Sequence, residues 1–167
     1  MDQLRKHHTS SNDLNYIDRA FKGVSFGHNS KRSREAATDL KGPLGLNLLH
    51  TPSEPLIDFI FVHGLGGGSR KTWSKSKEAY HYWPKEWLPL DPDFKNVRIF
   101  SFGYSADWTV RSGAALDISD FAQSLLGELN TCPEIRRSKT KIVLVGHSMG
   151  GLVIKKANNN IRGYNFP

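Results

Sequence analysis

The strongest constraint on the fold is an alternation of short apolar segments with segments of helical pattern. The runs at 56–63 (LIDFIFVH), 97–104 (VRIFSFGY) and 141–145 (KIVLV) are rich in β-branched and aromatic residues, which favours strands covered on both faces. Apolar residues recur one helical turn apart at 118–129, and GLVIKK follows the third run at 151–156. Strands alternating with helices indicate right-handed βαβ units. The predicted fold class is therefore α/β, a mostly parallel sheet with flanking helices.

Composition divides the chain into three parts. Residues 1–40 are polar and rich in Ser, Asn, Lys and Arg, so we expect them to be mostly disordered, with one helix around 14–21. Residues 41–157 carry the predicted strands and helices and form the folded domain. Residues 158–167 (NNNIRGYNFP) lack the apolar periodicity of the helix before them, and we expect an atypical tail.

Shorter elements are predicted between the long strands. Leu46–His50 is expected to be a strand, because a cluster of turn-forming residues ends it. A short helical stretch opens at Thr72, and Trp83–Leu88 is expected to be a helix with a proline near its start. Residues 131–139 are expected to form a polar loop.

Charge, cysteine content and hydropathy narrow the function classes. The chain carries 23 Lys and Arg against 16 Asp and Glu, and residues 134–167 hold seven basic residues against one acidic residue. No nucleic-acid motif with interleaved aromatics accompanies this charge, so we expect no nucleic-acid partner.

Cys132, the single cysteine, is expected to pack as a small apolar side chain, with a reactive thiol as the alternative. Without a span of transmembrane length or a secretory signal, an intracellular protein is expected.

A five-residue turn joins the third strand to the helix that follows it. Gly146-His147-Ser148-Met149-Gly150 has the form G-x-S-x-G, with KIVLV before it and GLVIKK after it. In this context the motif predicts a nucleophile elbow, a sharp turn that exposes the serine at the carboxyl end of a strand. The two glycines let neighbouring backbone pass close by, and the helix N-terminus favours negative charge. Ser148 is the candidate nucleophile; a serine that only caps the helix is the alternative.

A second glycine-rich turn, His63-Gly64-Leu65-Gly66, follows the first long strand. In α/β-hydrolases one oxyanion-hole N–H comes from the residue after the nucleophile, here Met149, and another from a loop after an earlier strand. Leu65 is the candidate for that second donor. His63 is expected to shape the loop, although it could instead be a general base or a metal ligand. We predict no metal site and no cofactor.

Two nucleotide-binding motifs are similar to this loop. A Walker A loop needs Gly directly before Lys-Ser/Thr, whereas residues 68–72 are in the order GSRKT. A dinucleotide fingerprint that began at Gly64 would have Ser69 where its last glycine belongs. A nucleotide-binding βαβ domain is therefore a minor alternative.

Five segments in the right order carry a family resemblance: GPLGLNLL, DFIFVHGLGGGSRKTW, WPKEWLPLDP, VRIFSFGYSADW and IVLVGHSMGGLVIKKA. Together they resemble the amino-terminal part of the serine-active-site-containing esterase family. They are equally similar to the lipase-like domain at the front of fungal NACHT, ankyrin and WD-repeat proteins, and more distantly to the GPI inositol-deacylase lipases. The resemblance implies an α/β-hydrolase fold, hydrolysis of an ester or lipid through an acyl-enzyme on Ser148, and further downstream domains. It also implies a role in lipid handling and association with mitochondria, endoplasmic reticulum and membranes.

The sequence departs from this family in one respect. The triad acid and histidine follow the nucleophile in this fold, but residues 149–167 contain no Asp, Glu or His. We therefore expect a truncated, partial α/β-hydrolase fold that lacks the C-terminal strands and the triad Asp and His. Its elbow strand is expected to expose an unpaired edge and apolar surface, and its activity to be weak or absent. A non-catalytic interaction or regulatory module is the alternative function.

Overall fold

The computed structural model describes residues 40–106 and 118–161. Four strands, four helices and four 3₁₀ turns have both ends within this part of the chain. The strands are β1 Gly45–His50, β2 Ile57–Val62, β3 Val97–Gly103 and β4 Lys141–Gly146. The helices are α1 Trp83–Glu86, α2 Ile118–Thr131, α3 Pro133–Arg136 and α4 Met149–Ile161. Four 3₁₀ turns lie between β2 and β3, at Lys71–Trp73, Ala79–His81, Leu88–Leu90 and Pro92–Phe94.

The strands form one mixed sheet in the order β1-β3-β2-β4. β2 is parallel to both β3 and β4, whereas β1 is antiparallel to β3. The predicted α/β class with a mostly parallel sheet is confirmed. Because β2 and β4 are parallel neighbours, their carboxyl ends lie side by side. The glycine loop after β2 and the G-x-S-x-G turn after β4 therefore meet.

Each face of the sheet has its own apolar cluster. On one face, Ile60, Val62, Phe100 and Phe102 pack against α2 and α4. On the other face, residues of β2 and β3 pack against Trp73 and Tyr82 from the segment between these strands. All seven residues of β3 are buried, which explains why the predicted strands are so continuously apolar.

Helix α2 buries the apolar stripe that the sequence predicts. Phe121, Leu125 and Leu129 are buried and Ile118 is half-buried against the same cluster. Ala122 extends the stripe, so a face more than one side chain wide contacts the core.

Three sequence predictions need correction. The helix predicted at 83–88 ends at Glu86 and a 3₁₀ turn follows at Leu88–Leu90, because Pro89 has no N–H to continue the α-helical hydrogen bonds. The predicted loop at 131–139 contains α3, because Pro133 suits the first helical turn. Helix α4 continues through Asn158–Ile161, so the tail begins later than predicted; Asn158 and Asn159 are exposed, where polar side chains are tolerated. The predictions for residues 1–39 and 162–167 lie outside the described residues.

Cys132 packs as the sequence analysis expected. Its side chain is half-buried against the cluster that α2 covers, and its Sγ donates to Glu134 Oε2 at 3.2 Å. Burial raises the pKa of the Cys132 thiol, which favours the protonated, less nucleophilic form at neutral pH.

Within the described part of the chain, β4 lies at one edge of the sheet. Ile142 and Val143 are 43% and 39% exposed although both are apolar strand residues. The expected apolar edge at the elbow strand is therefore present. None of the described helices is both long enough and apolar enough to cross a bilayer.

A buried ion pair joins the two inner strands, β2 and β3, near their first residues. Asp58 is 0% exposed, and it accepts from Arg98 Nε at 2.7 Å and from Arg98 Nη2 at 2.9 Å. Thr140 Oγ1 also donates to Asp58, and Arg98 Nη2 donates to Ser138 Oγ at 3.0 Å. The pair therefore links β2 and β3 to the residues that lead into β4.

We predict that Arg98→Met lowers the free energy of unfolding by about 3–5 kcal/mol, because it leaves the Asp58 carboxylate buried without its partner. Urea denaturation followed by tryptophan fluorescence measures the change. Arg136→Met removes an exposed arginine and should cost less than about 0.5 kcal/mol. Equal losses in the two variants would contradict the assigned role of the buried pair.

Candidate functional site

Ser148 lies at the sharp turn between β4 and α4. The amide of His147 donates to Val62 O at 3.0 Å, which extends the pairing of β4 with β2 by one residue. Gly150 N then donates to His147 O at 2.9 Å and Gly151 N to Ser148 O at 3.0 Å, so the helix begins at once. Among the described residues, Ser148 is the only non-glycine residue with a positive φ, at 53°. Such backbone costs ~1–3 kcal/mol and persists only where its surroundings hold it.

Close backbone contacts explain the glycines around this turn. A Cβ on Gly150 would lie 2.2 Å from Val62 O, and one on Gly146 would lie 2.7 Å from Gly151 N. The glycine loop also lies close to this turn, since a Cβ on Gly64 would lie 2.9 Å from Ser148 Cβ. The structure therefore brings together the two turns that the sequence singled out.

The two predicted oxyanion donors lie on these turns. Leu65 is exposed in the loop after β2, and Met149 is the first residue of α4. Within 40–106 and 118–161, neither of their amides donates a hydrogen bond to another protein group. By contrast, Gly66 N donates to Ala106 O at 3.1 Å. Unused N–H groups on a loop and at a helix N-terminus are what binding of an oxyanion requires.

Both ring nitrogens of His63, at the start of the glycine loop, are engaged by backbone groups. Tyr104 N donates to Nε2 at 3.1 Å, so Nε2 carries no proton, and Nδ1–H donates to Gly64 O at 2.8 Å. The ring stacks on Tyr104 at 4.2 Å, and the Tyr104 hydroxyl donates to His63 O at 2.6 Å. Burial lowers the pKa of His63 and raises the pKa of Tyr104 to about 12. A neutral imidazole bonded on both sides cannot act as a general base.

The described residues at this loop provide neither a cluster of metal ligands nor the helix N-terminus of a nucleotide site. In the described part of the chain, no three His, Cys, Asp or Glu side chains cluster as metal ligands. The loop leads into a three-residue 3₁₀ turn, whereas both nucleotide motifs need a helix N-terminus there. Lys71 Nζ instead donates to Gly66 O at 3.1 Å, folding back onto its own loop.

Sequence reasoning missed two residues that support the site. Tyr104 fixes His63 from the end of β3. Trp73 is buried, with its ring 5.0 Å from Phe61 and 6.2 Å from the ring of His147, so it supports the elbow from the side. Both are aromatic residues at the end of a strand or a turn. In the sequence, this position and residue type do not distinguish them from ordinary core residues. Between described residues, no histidine or carboxylate hydrogen-bonds to Ser148.

We predict that the free energy of unfolding decreases as pH falls below 7. The pKa of His63 is lowered in the folded chain, whereas an unfolded histidine titrates near its ordinary value of about 6.5. Between these two pKa values the unfolded chain binds more protons, so acid favours unfolding. Denaturation at several pH values should give a shallower slope for His63→Gln than for the parent. An unchanged slope in His63→Gln would contradict this role of His63.

The comparisons with known proteins cover the site. Proteins named Protein SERAC1 are 32% identical over 136 residues in Danio rerio, and 33% identical over 134 residues in both Bos taurus and Homo sapiens. Each similarity covers 67% of this chain and 20% of the relative, so the chain spans about a fifth of the relatives' length. No solved structure matches. Residues 57–161, from β2 to α4, match the family described as PGAP1-like alpha/beta domain, and the chain therefore belongs to that family.

Proposed function

We propose that this is a serine hydrolase-like domain in which Ser148 is the nucleophile toward carboxylic esters. The observation that carries the proposal is the left-handed backbone of Ser148 at a strand-to-helix turn. A serine that only capped α4 would have ordinary extended backbone at that position. Strained backbone held by close glycine contacts is instead typical of a nucleophile elbow.

The proposed reaction uses the two turns together. Ser148 Oγ attacks the ester carbonyl carbon and gives its proton to a base, and the carbonyl oxygen becomes an oxyanion. The amides of Leu65 and Met149 donate hydrogen bonds to that oxygen. Collapse of the tetrahedral intermediate expels the alcohol and leaves the acyl group on Ser148, from which water releases the carboxylic acid.

This reaction is limited by the lack of a proton acceptor for Ser148. Residues 149–167 contain no Asp, Glu or His, and His63 is neutral with both ring nitrogens bonded. Without a base, a serine hydroxyl is a poor nucleophile, and the oxyanion hole with substrate binding retains only ~10³–10⁴-fold catalysis. We therefore propose weak or absent turnover by this polypeptide.

The substrate proposal is an ester of the lipid class. It rests on the resemblance to serine-active-site esterases and lipases, together with the membership of the PGAP1-like family. Association with membranes, with mitochondria or with the endoplasmic reticulum, and further domains in a longer protein, are proposals of the same origin.

We predict that an alkyl fluorophosphonate probe labels the chain slowly and at Ser148. The phosphorus is a strong electrophile, so it reports a serine placed beside oxyanion donors even when the base is absent. Mass spectrometry identifies the labelled residue. Ser148→Ala should abolish the label, whereas Ser124→Ala, at an exposed serine of α2, should leave it unchanged. Labelling that survives in Ser148→Ala would contradict the proposal.

A second pair of variants tests the oxyanion loop. Gly64→Ala should slow labelling by about tenfold or more, because the new Cβ would displace the loop from the elbow and lose a donor. Gly127→Ala is the matched control, since a Cβ there meets nothing within 4 Å. Equal rates for the two alanine variants would show that the contact between loop and elbow does not matter.

A second candidate function is a non-catalytic interaction or regulatory module, as in the fungal signalling proteins that the sequence resembles. The observation that favours it is that no described histidine or carboxylate hydrogen-bonds to Ser148. Absence of labelling in a folded chain, with folding checked by circular dichroism, would support this function over hydrolysis.

A further inference from the structure

Residues 74–82 form a closed loop in the segment between β2 and β3. Ser74 and Tyr82 pair as an antiparallel bridge, and Lys75 N donates to His81 O at 3.2 Å. Ser76 Oγ and His81 Nδ1 share a hydrogen bond of 2.6 Å across the loop. All six residues from 75 to 80 are exposed, so the loop presents a defined surface to solvent.

An aromatic patch, formed by Tyr80, His81 and Trp87, lies on this loop and on the end of α1. The His81 ring centroid lies 4.1 Å from that of Tyr80 and 6.3 Å from that of Trp87. Trp87 Nε1 donates to Tyr80 O at 2.6 Å, which fixes the indole against the loop. Tyr80 is nevertheless 59% exposed and Trp87 47% exposed, so large aromatic surfaces face water instead of the core.

Positively charged side chains lie on the same loop as the aromatic patch and at its base. Lys75 and Lys77 are exposed on the loop, and Arg70 Nη2 donates to Lys77 O at 3.1 Å, which brings a third positive charge to its base. Glu78 is the acidic residue of the loop, so positive charge predominates. On α1, Lys85 Nζ lies 4.0 Å from Glu86 Oε1, so these two charges offset each other.

We propose that the loop 74–82 together with Trp87 is a docking surface for an anionic lipid bilayer. Tyr and Trp rings with an apolar body and a polar edge lie at the level of lipid headgroups, and lysines beside them bind lipid phosphates. A protein partner fits less well, because lysine is depleted in protein interfaces while aromatic residues are enriched. The positive charge is complementary to a negatively charged bilayer surface.

The position of the loop connects it to the candidate site. It begins one residue after Trp73, whose ring contacts that of His147, the residue before Ser148. The docking surface is therefore continuous in the chain with the residue that supports the elbow. The docking surface does not depend on the chemistry of Ser148, and Ser148→Ala should bind vesicles as the parent does.

Flotation of the full 167-residue chain with vesicles tests the proposal. The chain should bind phosphatidylcholine vesicles that contain phosphatidylglycerol and bind pure phosphatidylcholine vesicles much less. Lys75→Gln/Lys77→Gln should weaken binding by about tenfold or more, since each lysine near an anionic surface contributes about fivefold. Lys155→Gln/Lys156→Gln removes the same charge from exposed positions on α4 and should have less effect. Equal losses in the two double variants would overturn the proposal, because net charge alone would then explain binding.

Insertion of Trp87 gives a second, independent measurement. Vesicles containing lipids brominated on the acyl chains should quench the tryptophan fluorescence of the parent, and Trp87→Phe should lose most of that quenching while retaining binding. Unchanged quenching in Trp87→Phe would overturn the assignment. Tighter binding to a single-stranded oligonucleotide than to anionic vesicles, weakened by the same loop lysine variant, would also overturn it in favour of nucleic acid.

Discussion

The parallel pairing of β2 with β4 is the constraint on which the candidate site depends. It begins at Ile57 opposite Lys141 and is extended past β4 by His147. A slip of one residue would turn every side chain of β4 to the opposite face and move Ser148 away from the glycine loop. The register is held at both ends of β4. Before the strand, Thr140 donates a hydrogen bond to Asp58, and after it the glycines of the turn pack closely against neighbouring backbone. Interactions at the far end of the sheet therefore help to fix the geometry of the elbow.

The role of His63 illustrates how position decides chemistry. A histidine at the end of a strand, beside a glycine loop and near a serine, matches the composition of a catalytic pair. Its nitrogens are instead bonded to backbone groups of Gly64 and Tyr104, and burial lowers its pKa. The imidazole acts as a neutral bridge between the ends of β2 and β3. It supports the loop on which Leu65 lies and takes no proton from Ser148.

Local patterns made the strands, α2 and the strand-to-helix turn predictable. Each depends on periodicity or glycine placement within a few residues, and the structure follows them closely. Helix α3 was missed because Pro133 is equally a loop signal and a first-turn residue, and the end of α4 because asparagine has low helix propensity. The bond from Tyr104 to His63 spans 41 residues, and Trp73 and His147 are also far apart in the chain, so no local pattern could predict either contact. Motifs that the fold class brings together, such as the loop at Leu65 and the turn at Met149, are predictable from sequence, whereas individual side-chain contacts across the chain are not.

The exposed edge of β4 has a consequence for the dynamics of the molecule. The two inner strands, β2 and β3, bury most of their side chains, whereas β4 joins from residue 141 and leaves Ile142 and Val143 partly in water. Among the described strands β4 pairs with β2 alone, and such an edge strand opens at a lower free energy than the centre of a sheet. Opening of β4 would separate Ser148 from Gly64 while the other three strands stay paired. The amides of β4 should thus exchange with solvent sooner than those of β3, and the site should come apart well before the fold does.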